Sequence, residues 1–172
     1  MSKATLIIMR HAKSDWTSGA GSDFERPLAR RGLKDAPRMG KWLYEHSGTP
    51  FCIVCSPARR AAETARLVLA ALDYPEDKIV WDDRIYEGCL SDLLCVIEDH
   101  KSCKSLLLIG HNPGLEDLLD HLSMNQPPRD QGGKLLTTAA IAILVFKGNK
   151  IVTTPGSTDI QLIQRPRAAS QD

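Results

Sequence analysis

Neither sign of charge dominates this chain. Its 22 lysines and arginines are matched by 21 aspartates and glutamates, leaving +1 over 172 residues. It therefore lacks the general basic field that nucleic-acid or anionic-membrane binding draws on, and any anion site must be local. Long apolar runs are also missing. The stretch of residues 4–9 stops at Arg10-His11, too short for a signal segment or a membrane span, so a soluble, cytoplasmic protein is expected. There is no internal repeat and no low-complexity segment.

Cysteine is sparse and odd in number, five in all, without the density of a small secreted disulfide scaffold. Reduced thiols are expected. Cys52 and Cys55 form a C-x-x-C, but inside an apolar run, Phe51-Cys52-Ile53-Val54-Cys55, that reads as a strand. A thioredoxin-like pair would open a helix and structural zinc would need a second ligand pair, so core packing is the expectation. The five histidines, His11, His46, His100, His111 and His121, show neither H-x-x-x-H nor H-E-x-x-H spacing. No metal and no cofactor are expected.

What the chain does have is alternation. Hydrophobic residues make up 42%, enough for one core, and the reading is a single domain over residues 1–165 with a polar tail, 166–172. Buried-strand patterns lie at residues 4–9, 51–55, 79–81 and 105–109, with two closing strands at 138–146 and 160–163. Helical patterns lie between them. One carries Met39, Trp42 and Leu43, places Pro37 near its first turn and ends near Gly48-Thr49-Pro50. Others run over 58–72, 90–100 and 115–122, the first of these opened by Ser56 as N-cap and Pro57 as first helical residue. Residues 12–26 read as a long loop. The implied fold is α/β, a three-layer α/β/α arrangement with a mainly parallel central sheet.

In such a sheet ligands bind beyond the carboxyl ends of the strands. Arg10-His11, Ser56-Pro57 and His111-Asn112 would all emerge there. A phosphoryl group in transfer spreads negative charge over three oxygens, so fixed donors can catalyse by position and charge without a metal. His11 can attack through a ring nitrogen to give a phosphohistidine, while Arg10, Arg60 and His111 grip the oxygens. The guanidinium charges should hold His11 neutral enough to attack. Singly, each signal has a plainer reading: a surface histidine, a solvated arginine face, a strand-to-helix turn at Gly110-His111-Asn112-Pro113. Converging at one sheet edge, they form a constellation.

These residues resemble the histidine phosphatase superfamily, in the branch of the cofactor-dependent phosphoglycerate mutases and the compact phosphohistidine phosphatases. Arg10-His11-Ala12-Lys13-Ser14-Asp15-Trp16 is similar to that family's R-H-G-x-S-x-W. Ser56-Pro57-Ala58-Arg59-Arg60-Ala61-Ala62-Glu63-Thr64 resembles its S-x-x-x-R-A-x-x-T, and Gly110-His111 its later G-H. The resemblance implies Arg10 and Arg60 as phosphate ligands, His11 as nucleophile and His111 as the second pocket histidine. It nominates Glu87, within Asp83-Arg84-Ile85-Tyr86-Glu87, as general acid. Ser14, Arg26 and Asn112 are candidates for the pocket wall or, equally, for hydrogen bonding within loops.

Ala12 stands where the family has glycine and Thr17 where mutases carry asparagine. Together with Phe24-Glu25-Arg26-Pro27-Leu28, these features turn the resemblance toward the short phosphohistidine phosphatases. It covers most of the chain and leaves little for a substrate-enclosing cap, so an open pocket is expected. The implied activity is a metal-independent phosphatase working through phospho-His11, its partner a protein carrying phosphohistidine, with phosphate and other oxyanions as inhibitors. The alternatives are the same chemistry on a small phosphate ester or phosphosugar, and an inactive phosphate-binding interaction module.

Overall fold

The computed structural model describes residues 3–166; the rest of the expected polar tail lies outside the described residues. In chain order the elements are β1 (Thr5–Arg10), α1 (Arg30–Ser47), β2 (Cys52–Cys55), α2 (Arg59–Ala71), β3 (Ile79–Trp81), α3 (Leu90–Asp99), β4 (Ser105–Gly110), α4 (Gly114–Leu122), β5 (Ile141–Val145) and β6 (Ile160–Gln164). Among the described residues the strands form one six-stranded sheet, ordered β3-β2-β4-β1-β5-β6. The neighbours β3, β2, β4 and β1 are parallel; β5 runs against both β1 and β6. The expected mainly parallel sheet is what the chain forms.

Successive side chains of a strand point to opposite faces, and the core divides accordingly. Leu6 and Ile8 of β1 and Leu106 and Leu108 of β4 face α3 and α4, packing on Leu93, Val96, Leu115 and Leu118. Ile7, Met9, Leu107 and Ile109 face α1 and α2, packing on Met39, Leu43, Ala65 and Val68. Both faces are apolar because both are covered, which is why β1 and β4 read as unbroken hydrophobic runs. Each such fully buried Leu or Ile stabilises the fold by roughly 1.5–3 kcal/mol.

This topology creates the site. From β1 the chain crosses by α1 to β2, on the β4 side; from β4 it crosses by α4 to β5, on the other side. The two connections diverge on opposite faces of the sheet. A crevice opens between the carboxyl ends of β1 and β4, where Arg10 is in register with Gly110.

Several local expectations need correction. Pro37 lies inside α1, beyond its first turn, because the helix starts earlier than the sequence suggests. Its start is fixed by Ala29, whose N–H donates to the Lys13 carbonyl and whose own carbonyl accepts from Leu33. Ser56 is not the N-cap of α2: the helix begins at Arg59 with Ala58 as N-cap, and the Ser56 hydroxyl accepts from the Ala58 N–H in the turn before it while lying 2.8 Å from His111 Nε2. The first closing strand starts at Ile141, since Ala140 donates back to the Thr137 carbonyl in a turn.

The cysteines are not all reduced, for Cys52 and Cys103 form a disulfide. Cys52 opens β2 opposite Leu106 of β4, which brings it to the residues just before β4. Cys52 packs toward the α3 and α4 side and Cys55 toward α1 and α2, so the C-x-x-C spacing holds its two thiols apart. Cys55 is free and buried, in line with core packing.

Candidate active site

His11 leaves the sheet at the end of β1, only 7% exposed. Its backbone N–H donates to the Gly110 carbonyl and its carbonyl accepts from Ala139. The Nδ1 atom lies 2.7 Å from the Ala12 carbonyl. A carbonyl only accepts, so Nδ1 carries the proton and Nε2 is left with a free lone pair. Burial pushes the imidazole down to about 3, and the charges of His111, Arg60 and Arg10 act in the same direction against the opposing Ala12 hydrogen bond. Desolvation thus does more to keep His11 neutral than the guanidinium charge anticipated from sequence.

Ala12 in turn donates to Thr64 Oγ1 at 3.0 Å, and that hydroxyl donates to the Arg60 carbonyl at 2.7 Å. One threonine on α2 therefore ties the segment carrying His11 to the helix turn carrying Arg60. Arg60 is 6% exposed, whereas Arg59 lies half-exposed and pairs with Glu63 at 2.9 Å. The residue matched by motif is the one turned inward.

His111 follows β4, its ring centroid 5.1 Å from that of His11. Its Nε2 is 2.8 Å from Ser56 Oγ. When the serine donates that bond, Nδ1–H is left for an anion, and Nδ1 is buried without a protein partner. Burial first, then Arg60, pushes His111 down to about 4. Arg10 is anchored by Nη1 donating to the Leu136 carbonyl at 3.0 Å, while its Nε, like that of Arg60, is buried and unpartnered among the described residues. Buried N–H groups without partners are costly, and an oxyanion is an acceptor that could satisfy such groups.

The cleft beside these groups has a volume of about 510 Å³, and its wall includes Asp23, Arg60, Glu87, His111, Asn112 and Asp117. Glu87 is exposed there in a left-handed conformation, φ +54°. Its turn packs onto the start of α4 through two glycines: a Cβ on Gly114 would lie 2.5 Å from the Gly88 carbonyl oxygen, and one on Gly88 2.1 Å from that of Arg84. Asn112 donates to the Leu136 carbonyl at 2.9 Å and to Glu116 at 3.2 Å. Glu116 also accepts from the Leu135 and Leu136 N–H groups, holding the segment that anchors Arg10.

Ser14 and Arg26 are buried behind the wall and hydrogen-bonded to each other, with Arg26 stacked 3.6 Å over the Trp16 ring. Arg26 reaches the cleft through Asp23, which the sequence reading did not single out. The Asp23 carboxylate accepts from Arg26 Nη2 at 2.8 Å, Arg60 Nη2 at 3.0 Å and the Tyr86 hydroxyl at 3.0 Å. The Arg26 bond foremost, with Tyr86 and Arg60, holds its carboxyl down at about 2. Ser56 and Thr64 bound the motif that carries Arg60, and Ser56 is expected at this sheet edge, but neither is singled out from sequence as a site residue; Tyr86 appears there only as the neighbour of Glu87, and nothing in the sequence points to the Leu136 carbonyl. Among the described residues there is no cluster of histidine, cysteine or acidic side chains that could hold a metal ion.

A crevice between parallel strands that gathers a neutral histidine with a free ring nitrogen, two buried arginines and a second histidine is what the histidine phosphatases build. Residues 6–94 match the model of the histidine phosphatase superfamily, branch 1, and the chain belongs to that family. Among its relatives, a phosphohistidine phosphatase SixA homolog of Haemophilus influenzae is 32% identical over 155 residues, covering 84% of this chain and 90% of that one. An uncharacterized protein of Mycobacterium tuberculosis is 28% identical over 166 residues, covering 92% of this chain and the whole of that one. A candidate SixA phosphohistidine phosphatase of Nakamurella multipartitia has a structure similar at TM-score 0.76, with 27% identity over 98% of this chain and 99% of that one. A SixA protein histidine phosphatase solved with tungstate shares the fold at TM-score 0.76 and 23% identity, covering 94% of this chain and 97% of that one.

Proposed function

We infer that this chain is a phosphatase working through a phosphorylated His11, and that its substrate is phosphohistidine on a partner protein. The observation that carries the chemistry is the His11 tautomer: Nδ1–H is spent on the Ala12 carbonyl, so Nε2 is the attacking atom. Its lone pair forms the bond to phosphorus as the bond to the leaving nitrogen or oxygen breaks. Arg10, Arg60 and His111 take the three equatorial oxygens through N–H groups that have no protein partner among the described residues. Water then attacks the phosphorus, the P–Nε2 bond breaks, and inorganic phosphate leaves with neutral His11 restored. Glu87, on the cleft wall, supplies a proton to an alkoxide leaving group and takes one from the attacking water. None of these steps calls on a metal ion.

The substrate reading rests on the SixA relatives and on the cleft, which reaches His111, its ring 5.1 Å from that of His11, as access for a phosphorylated side chain held by another protein requires. We read residues 1–165 as one domain devoted to it. The test compares kcat/KM for phosphohistidine on carrier proteins with kcat/KM for a panel of phosphosugars and alkyl phosphates, in the presence of chelator. The carrier proteins are expected to win by at least about tenfold, a difference of roughly 1.4 kcal/mol in transition-state binding. Preference for a small ester would overturn the substrate, and loss of activity on chelation the mechanism. Phosphate, vanadate and tungstate are expected to compete with substrate.

A further inference from the structure

The cleft bordered by His111 and Arg60 is electrically two-sided. Its wall carries three carboxylates, Asp23, Glu87 and Asp117, against one guanidinium, that of Arg60. Arg60 is buried at 6% exposure, and its Nε–H still lacks an acceptor, so a cation with a donor to give lies inside a mouth lined with anions. The phosphoryl group goes to that donor. Whatever carries the phosphoryl group stays at the mouth, within reach of the carboxylates.

The three carboxylates are not equivalent. Asp23 is shared between Arg26 and Arg60, so much of its charge is answered within the protein. On α4, Glu116 and Asp120 are taken up by Arg129, while Asp117 between them lines the cleft. Among the described residues no lysine or arginine bridges Asp117 or Glu87. Their charges are open to a ligand.

We propose that Asp117, with Asp23 and, when it is ionised, Glu87 on the same wall, acts as a charge filter that accepts a phosphoryl group on a cationic or neutral carrier and rejects phosphates whose carrier bears a second anionic group. This rests on the phosphatase reading above and narrows it. A phosphohistidine imidazole, protonated as it departs, has the favoured sign; phosphoglycerates and bisphosphates have the disfavoured one. Rejection by like charge contributes specificity that a general phosphate grip cannot supply.

Three aryl phosphates test the filter without requiring a proton donor, because phenols leave readily: para-methylphenyl phosphate, its para-aminomethyl analogue and its para-carboxymethyl analogue. At low salt kcat/KM should fall in the order aminomethyl, methyl, carboxymethyl, spanning about tenfold, and the span should shrink at high ionic strength. The matching arylphosphonates should bind in the same order, a readout independent of turnover. Asp117→Asn should narrow the span and Asp117→Lys should level or reverse it. Equal constants for the three compounds in the unmodified protein, or an order that neither variant moves, would overturn the filter. A preserved aryl order with no hydrolysis of phosphohistidine proteins would instead reject the substrate reading and leave the filter standing.

Discussion

The end of the site proposed to hold the nucleophile and the end proposed to hold the proton donor are built in different ways. His11 is buried, held by backbone bonds to Gly110 and Ala139 and by its ring bond to Ala12, with core strands on either side. Glu87 is exposed, in a left-handed turn kept against α4 by the close contact of Gly88 and Gly114. The first gains a fixed atom and a neutral ring from burial. The second keeps access to solvent, which a group that gives a proton and recovers it needs. The step that must be geometrically exact is assigned to the rigid region, and the step that exchanges protons to the open one.

Substitutions can break that comparison at several levels. The largest expected effect after loss of the nucleophile itself is at Arg60. Arg60→Ala should lower kcat/KM by about 10²–10³-fold by removing a buried donor to developing charge. Arg59→Ala, which loses only a half-exposed pair with Glu63, should change it less than about twofold. Equal losses in steady-state assays would mean that the buried arginine is not the ligand.

Next comes Glu87→Gln, whose effect should depend on the leaving group. Alkyl phosphates leave as alkoxides and, in kcat/KM, which reports the steps up to departure of the leaving group, should slow by about a hundredfold, while phosphohistidine and nitrophenyl phosphate should slow only a few-fold. A uniform loss across leaving groups would place Glu87 in positioning, and no loss would leave it outside the chemistry. Gly114→Ala should reproduce the alkyl-selective defect, because its Cβ would push on the Gly88 carbonyl and move the turn.

The smallest effect sharpens the electrostatic half of the comparison. His11 and His111 are held neutral by burial, at about 3 and about 4, whereas an unfolded histidine titrates near 6.5. As pH falls below 6.5 the unfolded chain takes up protons that the folded site refuses, so stability declines from 6.5 down toward those lowered values. Asp23, lowered to about 2, adds its loss only below the ordinary carboxylate range. Between pH 6.5 and 4.5 urea unfolding should therefore register the histidines, on the order of 2 kcal/mol for each, and the double variant His11→Gln, His111→Gln should flatten that slope. An unchanged slope would mean that the two rings are not held neutral.

The same contrast explains what the sequence could reveal. β1, β2 and β4 are legible because strands covered on both faces leave unbroken apolar runs, and the residues that follow them inherit a position at the sheet edge. Arg60 is legible through its motif. Asp23 is not, because it sits in an aperiodic loop, and besides its local bond to Arg26 it meets the site through partners 37 and 63 residues away, Arg60 and Tyr86. Ser56-Pro57 carries a strong local signal for a helix cap, but α2 begins only at Arg59, and the Ser56 hydroxyl, which accepts from the Ala58 N–H, also meets His111 across the fold. The Cys52–Cys103 disulfide joins residues 51 positions apart, and no count of cysteines reveals that pairing.

The central claim, that Nε2 of His11 takes the phosphoryl group, is tested most directly by trapping the phosphoenzyme. The protein is quenched during turnover of a labelled phosphohistidine carrier, digested, and the labelled peptide sequenced by mass spectrometry. Phosphate on His11, labile in acid and stable in alkali, and absent from a folded His11→Ala variant that has lost turnover by at least about 10⁴-fold, is the predicted result. Phosphate on any serine, cysteine or other histidine, or full turnover by His11→Ala, would contradict it.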